Sequence, residues 1–214
     1  MALNIPGGEF LTGSLDVISQ SLTIPVLVIL LIIVIISIIS LGGVIAEYTS
    51  RKKVPVGTIR DLIYQINAAE SHENLKSVIS GAKIPKAQKK VLTEIASSDA
   101  LGNDSREALA RKLFEFEEEK TINNLQKTDI ITRIGPTLGL MGTLIPMGPG
   151  LAALGAGDIN TLASSLTVAF NTTIVGIGSG ALCYVLGKVR SGWYDRYLSD
   201  LDALIDAVLD RMSR

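Results

Sequence analysis

The side chains that could do chemistry in the most apolar parts of this chain are hydroxyls and one amide. Thr137 and Thr143 lie in one apolar run. Ser164, Ser165, Thr167, Asn171, Thr172, Thr173 and Ser179 lie in the next, and neither run holds Asp, Glu, Lys, Arg or His. Such groups donate and accept hydrogen bonds but do not titrate, whereas a proton path through lipid normally needs an ionisable relay. If protons move here, another polypeptide must bring the carboxyl group. The single cysteine, Cys183, sits in an apolar run, which excludes a disulfide framework and a cysteine zinc site. The single histidine, His72, lies in a polar segment and reads as a solvated surface residue. No metal site and no cofactor are expected.

The hydroxyls admit two readings. They can bond the carbonyl one turn back and simply let helices approach closely, or they can meet water and ions. At 100° per residue, Ala169, Thr172, Thr173, Gly176, Ser179, Gly180 and Cys183 share one small-residue seam. Asn171 points away from that seam, with Ser164, Thr167 and Gly178. An amide in lipid needs partners, so Asn171 is expected to face another helix or water. Pro136, Pro146 and Pro149, with Gly142, Gly148 and Gly150, predict either a kinked or unwound helix that shapes a pore mouth or a helix that stops near Pro146.

The placement of charge locates the elements that carry these residues. All 20 Lys and Arg lie in 51–133 and 188–214. A basic residue in hydrocarbon costs about 2.5–3.5 kcal/mol on insertion scales, and basic flanks stay cytoplasmic. The map therefore predicts an all-α integral membrane protein with three transmembrane helices. The first span, 25–46, would reach ~33 Å as a helix, enough for a ~30 Å hydrocarbon core. Ser37 and Ser40 are its polar interruptions, and the basic run Arg51-Lys52-Lys53 follows. It lacks a basic leader and is too long for a signal peptide, so it reads as an anchor with the N-terminus outside. The second span covers 134–154, an outside turn 155–161, and the third span 162–187. The inner two are rich in Gly, Ala, Ser, Thr and Pro, which makes the first look lipid-facing and the others an inner wall.

Outside the spans, 1–24 reads as an amphipathic segment on the outer membrane surface, with Phe10, Leu11, Leu15, Ile18 and Leu22 at helical spacing. Residues 47–133 form a charged cytoplasmic helical domain, with helices expected near 58–69, 71–80 and 86–98 and breaks at Gly81 and Pro85. Asp104 with Glu107 resembles a capping box that opens a long helix running on into the second span. Leu109, Leu113, Phe116, Ile122, Leu125 and Ile130 supply its apolar stripe, and Glu117-Glu118-Glu119 reads as a solvated face. The tail, 188–214, is a cytoplasmic amphipathic helix. It carries Tyr194, Tyr197, Leu201, Leu204, Ile205, Val208 and Met212 on one face and Asp202, Asp206 and Asp210 on another. That acidic face favours a partner helix over anionic lipid. Trp193 suits an interfacial anchor.

Two segments carry a family resemblance. The run Ile134-Gly-Pro-Thr-Leu-Gly-Leu-Met-Gly-Thr143-Leu, followed by Ala169-Phe-Asn-Thr-Thr173-Ile-Val-Gly176, resembles the MotA/TolQ/ExbB proton-channel family. The layout of anchor, cytoplasmic insert, two returning spans and tail helix is similar to that family along essentially the full chain. There are departures. Val168 stands where the ExbB and TolQ branches carry a Glu, Pro146 replaces a Gly, and Asn171-Thr172 replaces two apolar or small residues. The Pro-Met-Gly-Pro-Gly stretch is similar to divergent, archaeal-type members.

The resemblance implies a homopentamer in the cytoplasmic membrane, its second and third spans lining a pore. Inside it would sit single-span partners of the ExbD/TolR/MotB type, each carrying a membrane Asp. Thr143 and Thr173 fall on the family's pore threonines, with Thr172 and Asn171 beside them on the ion pathway. Gly142, Gly176, Gly180 and Ser179 would pack helices, and Pro146 and Pro149 would bend one. The expected activity is ion-driven energy transduction rather than covalent catalysis, among membrane lipids. A net charge of −1 implies no bulk attraction to nucleic acid. A structural oligomeric scaffold without ion conduction is the alternative.

Overall fold

The computed structural model describes residues 8–51 and 54–213. The first seven residues of the N-terminal segment, Lys52 and Lys53 of the basic run, and Arg214 lie outside the described residues. Every regular element within them is an α-helix: α1 (Gly8–Ser21), α2 (Thr23–Ser50), α3 (Val56–Asn67), α4 (His72–Gly81), α5 (Lys86–Ala96), α6 (Asn103–Gly155) and α7 (Ile159–Ser213). Three helical stretches are long and apolar enough to cross a membrane: Phe10–Ser50, α6 and α7. Strands would leave backbone groups unpaired in lipid, so even the β-branched run of α2 is helical.

The chain divides into two compact units close to where its charge map changes. One unit comprises Met1–Ile45 and Gln126–Lys188, the other Ala46–Leu125 and Val189–Arg214. They are called here the apolar unit and the charged unit.

In the apolar unit, α2 buries Val26, Leu30, Ile33, Ser37 and Val44, a stripe at helical period. Ile33 joins Ile131 of α6 and Cys183 of α7 in a small core, flanked by Ile36 and Leu138. Ser37 is buried, donates to the Ile33 carbonyl at 2.7 Å, and lies 3.3 Å from the Cys183 sulfur. The rest of α2 is exposed, including Leu31, Ile32, Ile35, Ile38 and Ile39. In water that surface would aggregate; against acyl chains it is at home.

In the charged unit, α3, α4 and α5 pack their apolar faces on the last turns of α7. The core holds Leu62, Ile66, Leu75, Ile79, Leu92 and Ile95 with Leu201, Leu204 and Val208. Burying each such side chain is worth about 1.5–3 kcal/mol. Asp202, Asp206 and Asp210 are exposed on the opposite face of α7. Local chemistry sets the short helices' limits. Ser71 caps α4 by accepting from the Asn74 amide at 3.2 Å, while Pro55 and Pro85 precede α3 and α5.

Several expectations are revised. α6 starts at Asn103, and Glu107 does not close a capping box on Asp104; its carboxylate accepts from Arg111 one turn on, at 3.0 Å. The apolar stripe expected along α6 packs only in part: Leu113 lies against the charged unit's core, whereas Phe116, Ile122 and Ile130 are roughly half exposed. The buried face instead runs through Arg106, Ala110, Glu117, Thr121, Thr128 and Ile131. Glu117 therefore leaves the solvated acidic run, while Glu118 and Glu119 remain exposed. α6 does not stop near Pro146 but continues to Gly155 with Pro136, Pro146 and Pro149 inside it. The third span and the tail are one helix, α7.

Candidate functional site

The apolar unit brings α6 and α7 together along glycines. A side-chain carbon on Gly135 would lie 2.8 Å from the Gly176 carbonyl oxygen, and one on Gly139 3.2 Å from that of Thr172. One on Gly176 would lie 2.5 Å from the Gly135 carbonyl oxygen, and one on Gly180 2.8 Å from the ring of Pro136. A β-carbon at 135, 176 or 180 would force the helices to shift, and one at 139 would be tight. Positions 135, 139 and 142 recur at helical spacing and let the two backbones touch.

Five of the residues singled out in the sequence join in this seam. Gly142 meets Thr172, whose β-carbon would be 2.6 Å from a carbon on Gly142. Gly176 and Gly180 are buried as described, and Ser179 is buried beside them. Thr172 is only 5% exposed and donates within its own helix, to the carbonyls of Val168 (3.0 Å) and Ala169 (2.8 Å). It thus sits with the packing residues, apart from the ion-path residues with which the sequence grouped it.

The other candidates are less buried, though the Thr173 backbone borders the seam, its α-carbon 3.4 Å from where a carbon on Gly139 would lie. Thr143 is half-buried and donates to the Leu140 carbonyl at 2.7 Å. Thr173 is half-buried and donates to the Ala169 carbonyl at 3.2 Å. Asn171 is exposed, and its side chain makes no hydrogen bond to any described residue. Pro146 is half-buried and Pro149 exposed, each within helical backbone.

The acid nearest these spans, Asp158, has a local task. It precedes α7 and accepts from the Thr161 backbone amide at 3.1 Å and from the Thr161 hydroxyl. The Thr161 hydroxyl and amide hold its carboxyl below the usual range. That is the pattern of a helix cap. Among the described residues no cluster of His, Cys, Asp and Glu could hold a metal ion.

The charged unit contains a polar joint that sequence reasoning missed. Glu47, at the end of α2, accepts from Arg190 Nε of α7 at 2.9 Å, with both side chains largely buried. Arg51 donates to the Trp193 carbonyl at 3.0 Å and lies 5.2 Å over its ring, and Tyr48 stacks at 6.1 Å from it. Deeper in, Tyr197 donates to Glu117 at 2.9 Å, Lys120 pairs with the same carboxylate, and Gln88 donates to the Tyr197 carbonyl at 3.0 Å. Burial and the Glu117 carboxylate push the Tyr197 phenol well above its ordinary range. Burial and Glu47 push Tyr194 in the same direction. The sequence offered a partial signal here. Trp193 stood out as an interfacial aromatic, and Glu47 directly follows an apolar run, but neither pattern names its partner.

A search of individually characterised proteins finds no match to this chain. A family model does match: that of the MotA/TolQ/ExbB proton channel family, over residues 71–203, more than half of the chain. The matched region contains both segments of the glycine seam.

Proposed function

Starting from the premise that the chain belongs to the MotA/TolQ/ExbB proton channel family, we propose that it is the pore-wall subunit of a proton-driven motor or energy-transducing complex. In this reading five copies form a ring in the cytoplasmic membrane, with the N-terminus outside and residues 47–133 and the tail inside. Single-span partners supply the proton-binding Asp. The chain acts as a transport component, not as an enzyme.

The observation that carries the reading is the chemistry of the two paired spans. They are uncharged and close-packed along one face, yet they carry the hydroxyls of Thr143 and Thr173 and the amide of Asn171. A span pair that only needed to pack has no use for an amide in hydrocarbon. A wall that must pass protons to a foreign carboxyl needs hydrogen-bonding groups and no fixed charge to trap the ion. Thr143 and Thr173, already donating to their own helices, retain lone pairs that accept from water or from a protonated carboxyl. Pro146 and Pro149 remove backbone donors beside this region and leave carbonyls free for water.

The test is the composition of the complex. Native mass measurement of the full chain purified from its own membranes should show five copies with bound single-span polypeptides, each with a carboxyl in its span. A ring that never carries a second polypeptide would favour the scaffold reading instead.

A further inference from the structure

The charges of the charged unit are sorted by helix. α6 balances its own: Arg111 pairs with Glu107, Lys112 with Glu115 and Lys120 with Glu117, each within about one turn. α5 and the end of α7 do not. Lys86 and Lys90 stand on the exposed face of α5, with Lys83 just before the helix, and their side chains make no ion pair or hydrogen bond with any described residue. Asp202 and Asp206 stand on the exposed face of α7, and their carboxylates are equally without a described partner. Asp195 and Asp210 continue that acidic stripe in both directions at helical spacing.

The two faces look in opposite directions. α5 buries Gln88, Val91, Leu92 and Ile95, on the side of the helix opposite Lys86 and Lys90. α7 buries Leu201, Leu204, Ile205 and Val208, on the side opposite Asp202 and Asp206. The buried faces share one core, and Gln88 reaches across it to the Tyr197 carbonyl. α5 and the end of α7 are thus a layer with lysines on one outer side and aspartates on the other, and the layer itself keeps the two apart within a single copy. Between copies they match. Lys86 and Lys90 are four residues apart, as are Asp202 and Asp206, so each pair spans ~6 Å along its helix. Beside the lysines opens a shallow cleft of about 490 Å³, lined by Lys86, Lys89, Lys90 and Thr93 with Glu94 on its edge, where the ridge of a neighbouring helix can sit.

We propose that the lysine face of α5 docks on the aspartate face of α7 in a second copy of this chain, head to tail. Complementary faces on opposite sides of one unit make a heterologous contact, which repeats from copy to copy and can close into a ring. Like charges repel when two lysine faces or two aspartate faces meet, so the same pattern disfavours two-fold pairing through either face. Such half-exposed pairs set register and orientation more than affinity. The proposal rests on the ring reading above and adds to it a contact made in the charged unit.

The experiment uses two differently tagged populations of the full chain, co-expressed in its own membranes. One carries Lys90→Cys and the other Asp202→Cys. Cys183 is buried, which leaves the introduced thiols as the reactive ones. A short bis-maleimide should join the two tags, and should not join two Lys90→Cys copies to each other. Links between two Lys90→Cys copies, or no link at all in a ring that is still assembled, would overturn the contact and leave the ring reading intact. So would a benzophenone at position 90 that labels lipid and not a second copy, which would assign the lysine face to the membrane surface. A chain that stays a single copy would overturn both.

Charge reversal gives a second readout. Lys86→Glu/Lys90→Glu should raise the concentration at which the purified ring dissociates by about tenfold. Adding Asp202→Lys/Asp206→Lys to the same chain should restore it. Both faces lie outside the core, so these changes act on assembly and not on the fold of the unit. A reversed chain that assembles like the native one, or a doubly reversed chain that fails to recover, would contradict the proposal.

Discussion

Gly176 and Gly178 lie two residues apart on one helix and tolerate opposite things. A carbon on Gly176 would lie 2.5 Å from a backbone oxygen, whereas a carbon on Gly178 meets nothing within 4 Å. Gly176→Ala must therefore part the helices, an overpacking cost of about 1–3 kcal/mol, while Gly178→Ala removes a flexible residue from a helix at no steric cost. Thermal unfolding in detergent should show a clear loss for the first and none for the second. At the same scale, Tyr197 makes the charged unit sensitive to alkali. Its phenol is held neutral when folded, by burial and by Glu117, and ionises near pH 10 when unfolded. A raised folded value means the contribution is complete below about pH 10 and is lost as the pH climbs through the folded value. Chemical denaturation between pH 8 and 11 should show stability falling with pH, and Tyr197→Phe should flatten that slope. The sequence exposed the seam residues through their size and spacing. It did not separate Thr172 from Thr173, because two adjacent threonines on a helix differ only in what the neighbouring helix places against them.

Among the helices, those most legible in sequence were α3, α4 and α5. Their breaks at Gly81 and Pro85 and their apolar periodicity mark them locally, and the observed limits lie within about two residues of those expected. The tail's apolar face also packs as its spacing indicated, through Leu201, Leu204 and Val208. Leu204 is fully buried, so Leu204→Ala should destabilise the charged unit by about 2–5 kcal/mol. Asp206→Asn, on the exposed face, should change it by no more than about 0.5 kcal/mol. Denaturant titration of the two variants measures the difference. The face of α6 was not legible. Its inward side carries glycines where it meets α7 in the apolar unit, and Glu117 where it meets Tyr197 in the charged unit. Close approach and a buried hydrogen bond both select small or polar residues, the opposite of the apolar stripe that periodicity looks for. Phe116, Ile122 and Ile130 were thus assigned inward although they face out.

At the scale of the molecule, one pattern organises the chain. The stretches without basic residues supply most of the apolar unit, and the charged stretches supply most of the other. The pattern works because the cost of a cation in hydrocarbon is larger than most local propensities. It also leaves the paired spans with hydroxyls and one amide but no carboxyl, which is why the functional proposal needs a second polypeptide. The most direct test is proton uptake into vesicles holding the purified complex, driven by a membrane potential and compared between the native chain and the Thr143→Val/Thr173→Val double variant. Pore-wall threonines predict that uptake falls at least tenfold, to the level of empty vesicles, with ring and partner still assembled. Native uptake by the assembled double variant would contradict the assignment of these spans as the ion path.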